Sequence, residues 1–332
     1  MSLRMALVMP LIVAISACGS DGDSSPERKD APVTQRDAPP ADAPAAGDAS
    51  GVDSGAAADA PPAAAVIVAT GDIAGDWPED SATSALVDTI DPDAVLLLGD
   101  IAYFSGSESQ YEDFFDPAWG AHKSLLHPSP GNHDHVSPFL GGYCDYFGDA
   151  AHCQDGYSYY SFDVGSWHII ALDSGCSSPS LCIDPTDDGS DMRTWLAADL
   201  AADQSKCTLA YFHHPRFSSG KHGNASRLKS LWQQLYDGGV DVVLNGHEHD
   251  YERFAPQDPD GNADDSGITE VVVGIGGIGL RDFDGDPKAN SVVRSADAHG
   301  VLKMTLHPSS YEMAVVAIDG DTFTDESSGT CH

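Results

Sequence analysis

The residue types most capable of chemistry in this 332-residue chain fall in five short polar clusters. They are Gly71-Asp72, Gly99-Asp100-Ile101-Ala102-Tyr103, Gly131-Asn132-His133-Asp134, His213-His214-Pro215 and Gly246-His247-Glu248-His249. Together they offer carboxylate and amide oxygens, a phenol and several imidazoles. Hard oxygen donors mixed with imidazoles suit metal ions, and this many donors suit two adjacent ions better than one. Two such ions sharing a bridging carboxylate can activate a water and stabilise both ends of an in-line displacement at phosphorus. Asp100 is the natural bridge. A neutral Asn132 oxygen and several imidazoles limit the negative charge and keep the ions electrophilic.

These clusters need elements that deliver them to one place. The apolar runs Val66-Ile67-Val68-Ala69, Ala94-Val95-Leu96-Leu97-Leu98 and Val240-Asp241-Val242-Val243-Leu244 precede three of them. Runs this short read as buried strands of an α/β sheet, whose ligands gather beyond the strands' carboxyl ends. Strand patterns recur at 66–70, 94–98, 158–163, 167–172, 207–212, 240–245, 270–275, 301–306 and 311–317. Helical patterns fall at 80–90, 108–119, 191–203 and 226–237, with Asp191 as an expected N-cap and Gly238-Gly239 as a stop. The early alternation of strand and helix predicts parallel crossovers, while 158–172 and 301–317 read as antiparallel pairs. The expectation is one mixed α/β domain over residues 66–332. On a regular strand His247 and His249 would share one face. The Gly274–Gly279 run, following the last cluster, is expected to let backbone approach the same pocket.

The beginning of the chain reads differently. Met1–Ala17 carries Arg4 and then an apolar stretch suited to a secretory signal, too short to span a bilayer comfortably. It ends in Ile15-Ser16-Ala17-Cys18, which resembles a bacterial lipobox and implies cleavage and lipid attachment at Cys18. Residues 18–65, rich in Ala, Asp and Pro, cannot bury enough apolar surface to offset ordering, and read as a disordered spacer. The expected location is therefore the bacterial cell envelope, with membrane contact only through the lipid.

The net charge of −36 divides into +1 on residues 1–17, −6 on 18–65 and −31 on 66–332. Such acidity argues against non-specific nucleic-acid binding. It does not exclude anionic substrates, because bound metal ions dominate the field inside a site. Removing Cys18 from the seven cysteines leaves six, which in an exported chain suggests disulfides. The expected pairs are Cys144–Cys153, Cys176–Cys182 and Cys207–Cys331; without a Cys-x-x-Cys pair, a zinc site is the weaker reading.

The five clusters, in this order, resemble the calcineurin-like metallophosphoesterases, and specifically their purple acid phosphatase branch. Most of that superfamily has Asp-x-His in the first block, where this chain reads Asp72-Ile73-Ala74. In the purple branch a Tyr three residues after the second block's Asp takes the place of that His, and Tyr103 occupies this position. The resemblance implies a four-layer α/β/β/α sandwich of mixed sheets flanked by helices. It implies a first metal held by Asp72, Asp100, Tyr103 and His249, and a second by Asp100, Asn132, His213 and His247. A phenolate favours Fe(III) at the first position, with iron, zinc or manganese at the second. His133 and His222 match positions that contact phosphate or assist the leaving group, and Asp134 could orient His133.

The expected function is an exported dimetal phosphoesterase, acting on small phosphate monoesters through a metal-activated hydroxide. A phosphodiesterase, including one for cyclic nucleotides, and a non-catalytic metal-binding lipoprotein are the alternatives. Plant-type relatives carry an N-terminal β-sandwich domain, so the resemblance covers the catalytic domain alone. Arg216 and Arg253 are candidates for phosphate pairing or for structural salt bridges. The acidic stretches 184–191, 258–265 and 282–286 lack EF-hand spacing and read as solvated turns.

Overall fold

The computed structural model describes residues 64–176 and 184–332. The signal segment, the lipobox and nearly all of the spacer lie outside the described residues, as does Cys182. The strands are β1 (Ala65–Thr70), β2 (Ala94–Leu98), β3 (Leu126–Ser129), β4 (Cys153–Gln154), β5 (Tyr157–Ser158), β6 (Tyr160–Val164), β7 (Trp167–Ala171) and β8 (Cys207–Tyr211). There follow β9 (Val242–Asn245), β10 (Tyr251–Phe254), β11 (Thr269–Val273), β12 (Ser291–Ser295), β13 (Gly300–His307), β14 (Ser310–Ala317) and β15 (Glu326–Thr330).

β4 and β5 pair only with each other, and alternating side chains place the other strands in two facing sheets. One sheet is ordered β15-β14-β13-β1-β2-β3, and the other β12-β10-β11-β9-β8-β7-β6. Ile67, Ala69, Leu96 and Leu98 of the first pack against Ile169, Leu209, Val242 and Leu244 of the second, forming the central core. The opposite faces are covered by helices. Val68, Val95 and Leu97 meet Val87, Tyr111, Phe115 and Trp119. Ile170 and Ala210 meet Leu196, Leu231 and Trp232. The layers are thus α/β/β/α, and burying one Leu or Ile side chain in them stabilises by about 1.5–3 kcal/mol.

Parallel pairing is what concentrates the polar clusters. β1, β2 and β3 run parallel in one sheet, and β8, β9 and β11 in the other. Their carboxyl ends therefore open onto the same side of the sandwich. Among the described residues no helix is long and apolar enough to cross a membrane.

Several local expectations are corrected. The 108–119 helix is broken into Glu108–Gln110, a π-helical Tyr111–Phe115 and Asp116–Trp119. Pro117 lacks the N–H that an uninterrupted helix would use there. Ser190, rather than Asp191, caps the next helix, its Oγ accepting from the Arg193 N–H at 3.2 Å. β3, β4, β10, β12 and β15 are additional strands, each short or carrying charged, Pro or Gly residues that mask a strand pattern. Disulfides join Cys144 to Cys153 and Cys207 to Cys331, as expected, the latter across 124 residues of chain.

Candidate metal centre

Asp72 follows β1, Asp100 and Tyr103 follow β2, Asn132 follows β3, His213 follows β8, and His247 and His249 lie between β9 and β10. Asp72, Asp100 and His247 adopt left-handed backbone with φ of 59°, 49° and 74°. Non-glycine residues rarely sit there, and such conformations persist where surrounding structure over-determines them. Because of this turn His247 and His249 do not share a strand face; each imidazole goes to a different set of donors. Glycine is required beside them. A Cβ on Gly246 would stand 2.7 Å from Asp72 Oδ2, and one on Gly131 would collide with the Asp100 carboxylate. In the Gly274–Gly279 run, a Cβ on Gly274 would lie 2.8 Å from Asp72 Oδ2.

Six of the seven side chains converge in two groups sharing Asp100. In the first, Tyr103 Oη lies 2.8 Å from Asp72 Oδ1, 3.1 Å from Asp100 Oδ2 and 3.4 Å from His249 Nε2. In the second, His213 Nε2 lies 3.2 Å from Asp100 Oδ2 and 3.2 Å from His247 Nδ1. Asn132 Oδ1 is buried with no hydrogen-bond partner. Carbonyls set two of the imidazoles. His213 Nδ1 donates to Leu98 O at 2.9 Å and His249 Nδ1 to Gly279 O at 3.1 Å, leaving both Nε2 atoms free to ligate.

Electrostatics mark this as a place built for added positive charge. Burial lifts Asp72 to about 7, against the opposing pull of His213. Burial also acts to raise Asp100, but His213 and His133 outweigh it and hold that carboxyl below its usual range. His213 itself, despite burial, is pushed up to about 9 by Asp100. Burial and Arg281 push His249 down to about 3, and burial with His213 lowers His247 strongly. Burial drives the Tyr103 phenol well above its ordinary value, reinforced by both carboxylates. Acceptor atoms thus crowd together at a site where burial penalises their ionised forms. The orphaned amide oxygen and the mixed oxygen–imidazole donors fit two metal ions.

Two further histidines flank these groups. His133 Nδ1 donates to Phe104 O at 2.8 Å, so Nε2 faces the site, 3.9 Å from Asp100 Oδ2. The His222 ring lies 4.5 Å from that of His247, and its side chain is 44% exposed. Asp134 does not orient His133, contrary to expectation. Its carboxylate accepts from Tyr111 Oη at 2.7 Å, Gly131 N at 2.8 Å and Ile101 N at 3.3 Å, which ties the loops after β2 and β3 together. His214 pairs with Ser174 Oγ at 2.8 Å, and Arg253 makes a bidentate salt bridge to Asp325.

Sequence reasoning missed Glu248. Fully buried, it accepts from the backbone N–H of His222 at 2.8 Å and Gly223 at 2.9 Å, and from His222 Nδ1 at 3.1 Å. Buried Glu252 and Glu270 hold Ser219, Arg216 and Phe217 in the same way. The available signal was a run of acidic residues, Glu248, Asp250 and Glu252, interleaved with and following the candidate ligands.

Residues 65–251 match the family described as calcineurin-like phosphoesterase. Among curated proteins, Arabidopsis thaliana purple acid phosphatase 21 is 28% identical over 78% of this chain and 64% of its own length. Purple acid phosphatase 18 from the same plant is 30% identical over 70% of this chain and 56% of its own. The chain thus spans less than two thirds of the length of these relatives. Among solved structures, the purple acid phosphatase PPD1 of yellow lupin (Lupinus luteus) superposes with a TM-score of 0.66 at 20% identity. It covers 81% of this chain and 54% of its own.

Proposed function

The chain belongs to the calcineurin-like phosphoesterase family, and from that premise we propose that residues 66–332 form an exported dimetal phosphomonoesterase of the purple acid phosphatase kind. The observation that carries this reading is the pair of donor groups meeting at Asp100 Oδ2, one hinged on Tyr103 Oη and the other on His213 Nε2. A dimetal centre is typical of the family. Asp72, Asp100, Tyr103 and His249 would hold one ion, for which the phenol favours Fe(III). Asp100, Asn132, His213 and His247 would hold the other, as iron, zinc or manganese. Bound there, the ions supply Lewis-acid charge and an activated water for attack at phosphorus.

The chain's own side chains complete the chemistry. His133, fixed through Nδ1, presents Nε2 to a phosphoryl or leaving-group oxygen and can carry the proton that departs with it. His222, fixed by Glu248 through its own Nδ1, presents its Nε2 from the other flank. The five strand ends form a rigid mount for these groups, which is what positional catalysis requires. The lipobox-like Ile15–Cys18 and the spacer to residue 65 support export and a lipid anchor at Cys18. Fractionation of cells labelled with a fatty-acid analogue, comparing wild type with Cys18→Ser, tests that location.

The activity is tested with the purified protein and an aryl phosphomonoester, before and after chelation and restoration with iron plus a divalent ion. Turnover that vanishes with the metals and returns with them is expected. A metal-replete protein that cleaves no monoester, or cleaves diesters better, overturns the monoesterase reading.

A further inference from the structure

Beyond the metal centre, the mouth of the site carries an aromatic surface that phosphate chemistry alone does not require. Phe104, Val136, Phe139 and Val292 are the large apolar side chains most open to solvent among the described residues, and Phe104 is 63% exposed. Phe104 directly follows Tyr103, and its carbonyl holds His133 Nδ1 at 2.8 Å. Its ring is braced from behind. Tyr103 meets it in a T-shaped contact at 5.6 Å, and Trp77 does so at 6.2 Å. Trp77 is itself fixed by its Nε1–H donating to Ile73 O at 2.9 Å. The Phe104 ring then lies 6.2 Å from that of His133, whose side chain is about a third exposed.

From this geometry we infer that Phe104, backed by Trp77, forms a leaving-group subsite for planar aromatic esters. The inference rests on the phosphoesterase reading and names a substrate class for it. A leaving group that takes its proton at His133 Nε2 exits beside the Phe104 ring. An apolar ring held edge-on by two neighbours offers a preorganised stacking face at little ordering cost. An alkyl or sugar alcohol leaving group cannot use that face equally, so the site discriminates by the group attached to phosphate. Phe139 is still more exposed, at 82%, but packs beside Gly156 and has no ring contact with His133. It is therefore the internal control.

The test uses non-hydrolysable probes, so that binding is read separately from turnover. Metal-loaded full-length protein, its metal content measured first, is titrated by calorimetry with phenylphosphonate and methylphosphonate. Wild type is expected to bind the phenyl compound about 5-fold more tightly. Phe104→Ala keeps the carbonyl that holds His133 and should abolish this preference, leaving methylphosphonate affinity unchanged; Phe139→Ala should preserve it. Equal affinities in wild type, or a preference that survives in Phe104→Ala, overturn the aromatic subsite while leaving the phosphoesterase reading in place. Failure of metal-loaded wild type to bind either phosphonate overturns both.

Discussion

Glu248 shows how a single buried carboxylate shapes the chemistry of a neighbour. It sits between two candidate ligands, yet its oxygens turn away from the metal donors and take the His222 amide and ring N–H. That bond decides which imidazole nitrogen faces outward. In Glu248→Gln the amide oxygen can still accept from the His222 and Gly223 backbone, but its NH2 group opposes Nδ1 and selects the wrong tautomer. We expect kcat to fall at least about 10-fold with KM, metal content and Tm close to wild type. Steady-state kinetics with metal analysis checks this. Loss of metal in parallel with activity would assign Glu248 to support of His247 and His249 instead.

At the scale of elements, the decisive feature is how the loops after β2 and β3 are tied. Asp134 accepts from Ile101 N, Gly131 N and Tyr111 Oη, so the π-helical turn at Tyr111–Phe115 braces both loops through one phenol. Tyr111→Phe leaves the ring packing intact and removes that donor from a buried carboxylate. Stability should fall by about 1–3 kcal/mol, read by chemical denaturation. Retention of metal against a chelator should fall as well, because Asp100 and Asn132 ride on the loosened loops. Unchanged stability would show that the two backbone N–H groups suffice.

For the whole molecule, the Cys207–Cys331 disulfide fastens the residue just after β15 to β8, an interior strand of the second sheet. A bridge across 124 residues constrains the unfolded chain far more than the nine-residue Cys144–Cys153 bridge does. Replacing both Cys207 and Cys331 by Ala should cost about 2–5 kcal/mol and lower Tm without altering kcat per folded molecule. Scanning calorimetry with an active-site titration separates the two effects. A Tm within error of wild type would place the restraint elsewhere. The charge of −36 acts at this scale too, favouring solubility, while metal ions held at Asp100 would draw anions locally.

The sequence by itself determined which donors exist and that they follow short buried strands, because a cluster such as Gly99-Asp100 or Gly246-His247 ends an apolar run whatever surrounds it. The order of those clusters carried the family resemblance, which implied the layered fold, and six of the side chains it singled out do lie together. Only the tertiary structure decided how they meet. Left-handed backbone at His247 sends it and His249 to separate donor groups, which strand periodicity alone placed on one face. Asp134 is drawn from His133 to Tyr111, a partner 23 residues away brought near by helix packing. Glu248 and Phe104 gain their meaning from the loop and rings folded against them. Spacing along a chain records which side chains are available; hydrogen-bond direction and ring contact depend on neighbours distant in sequence.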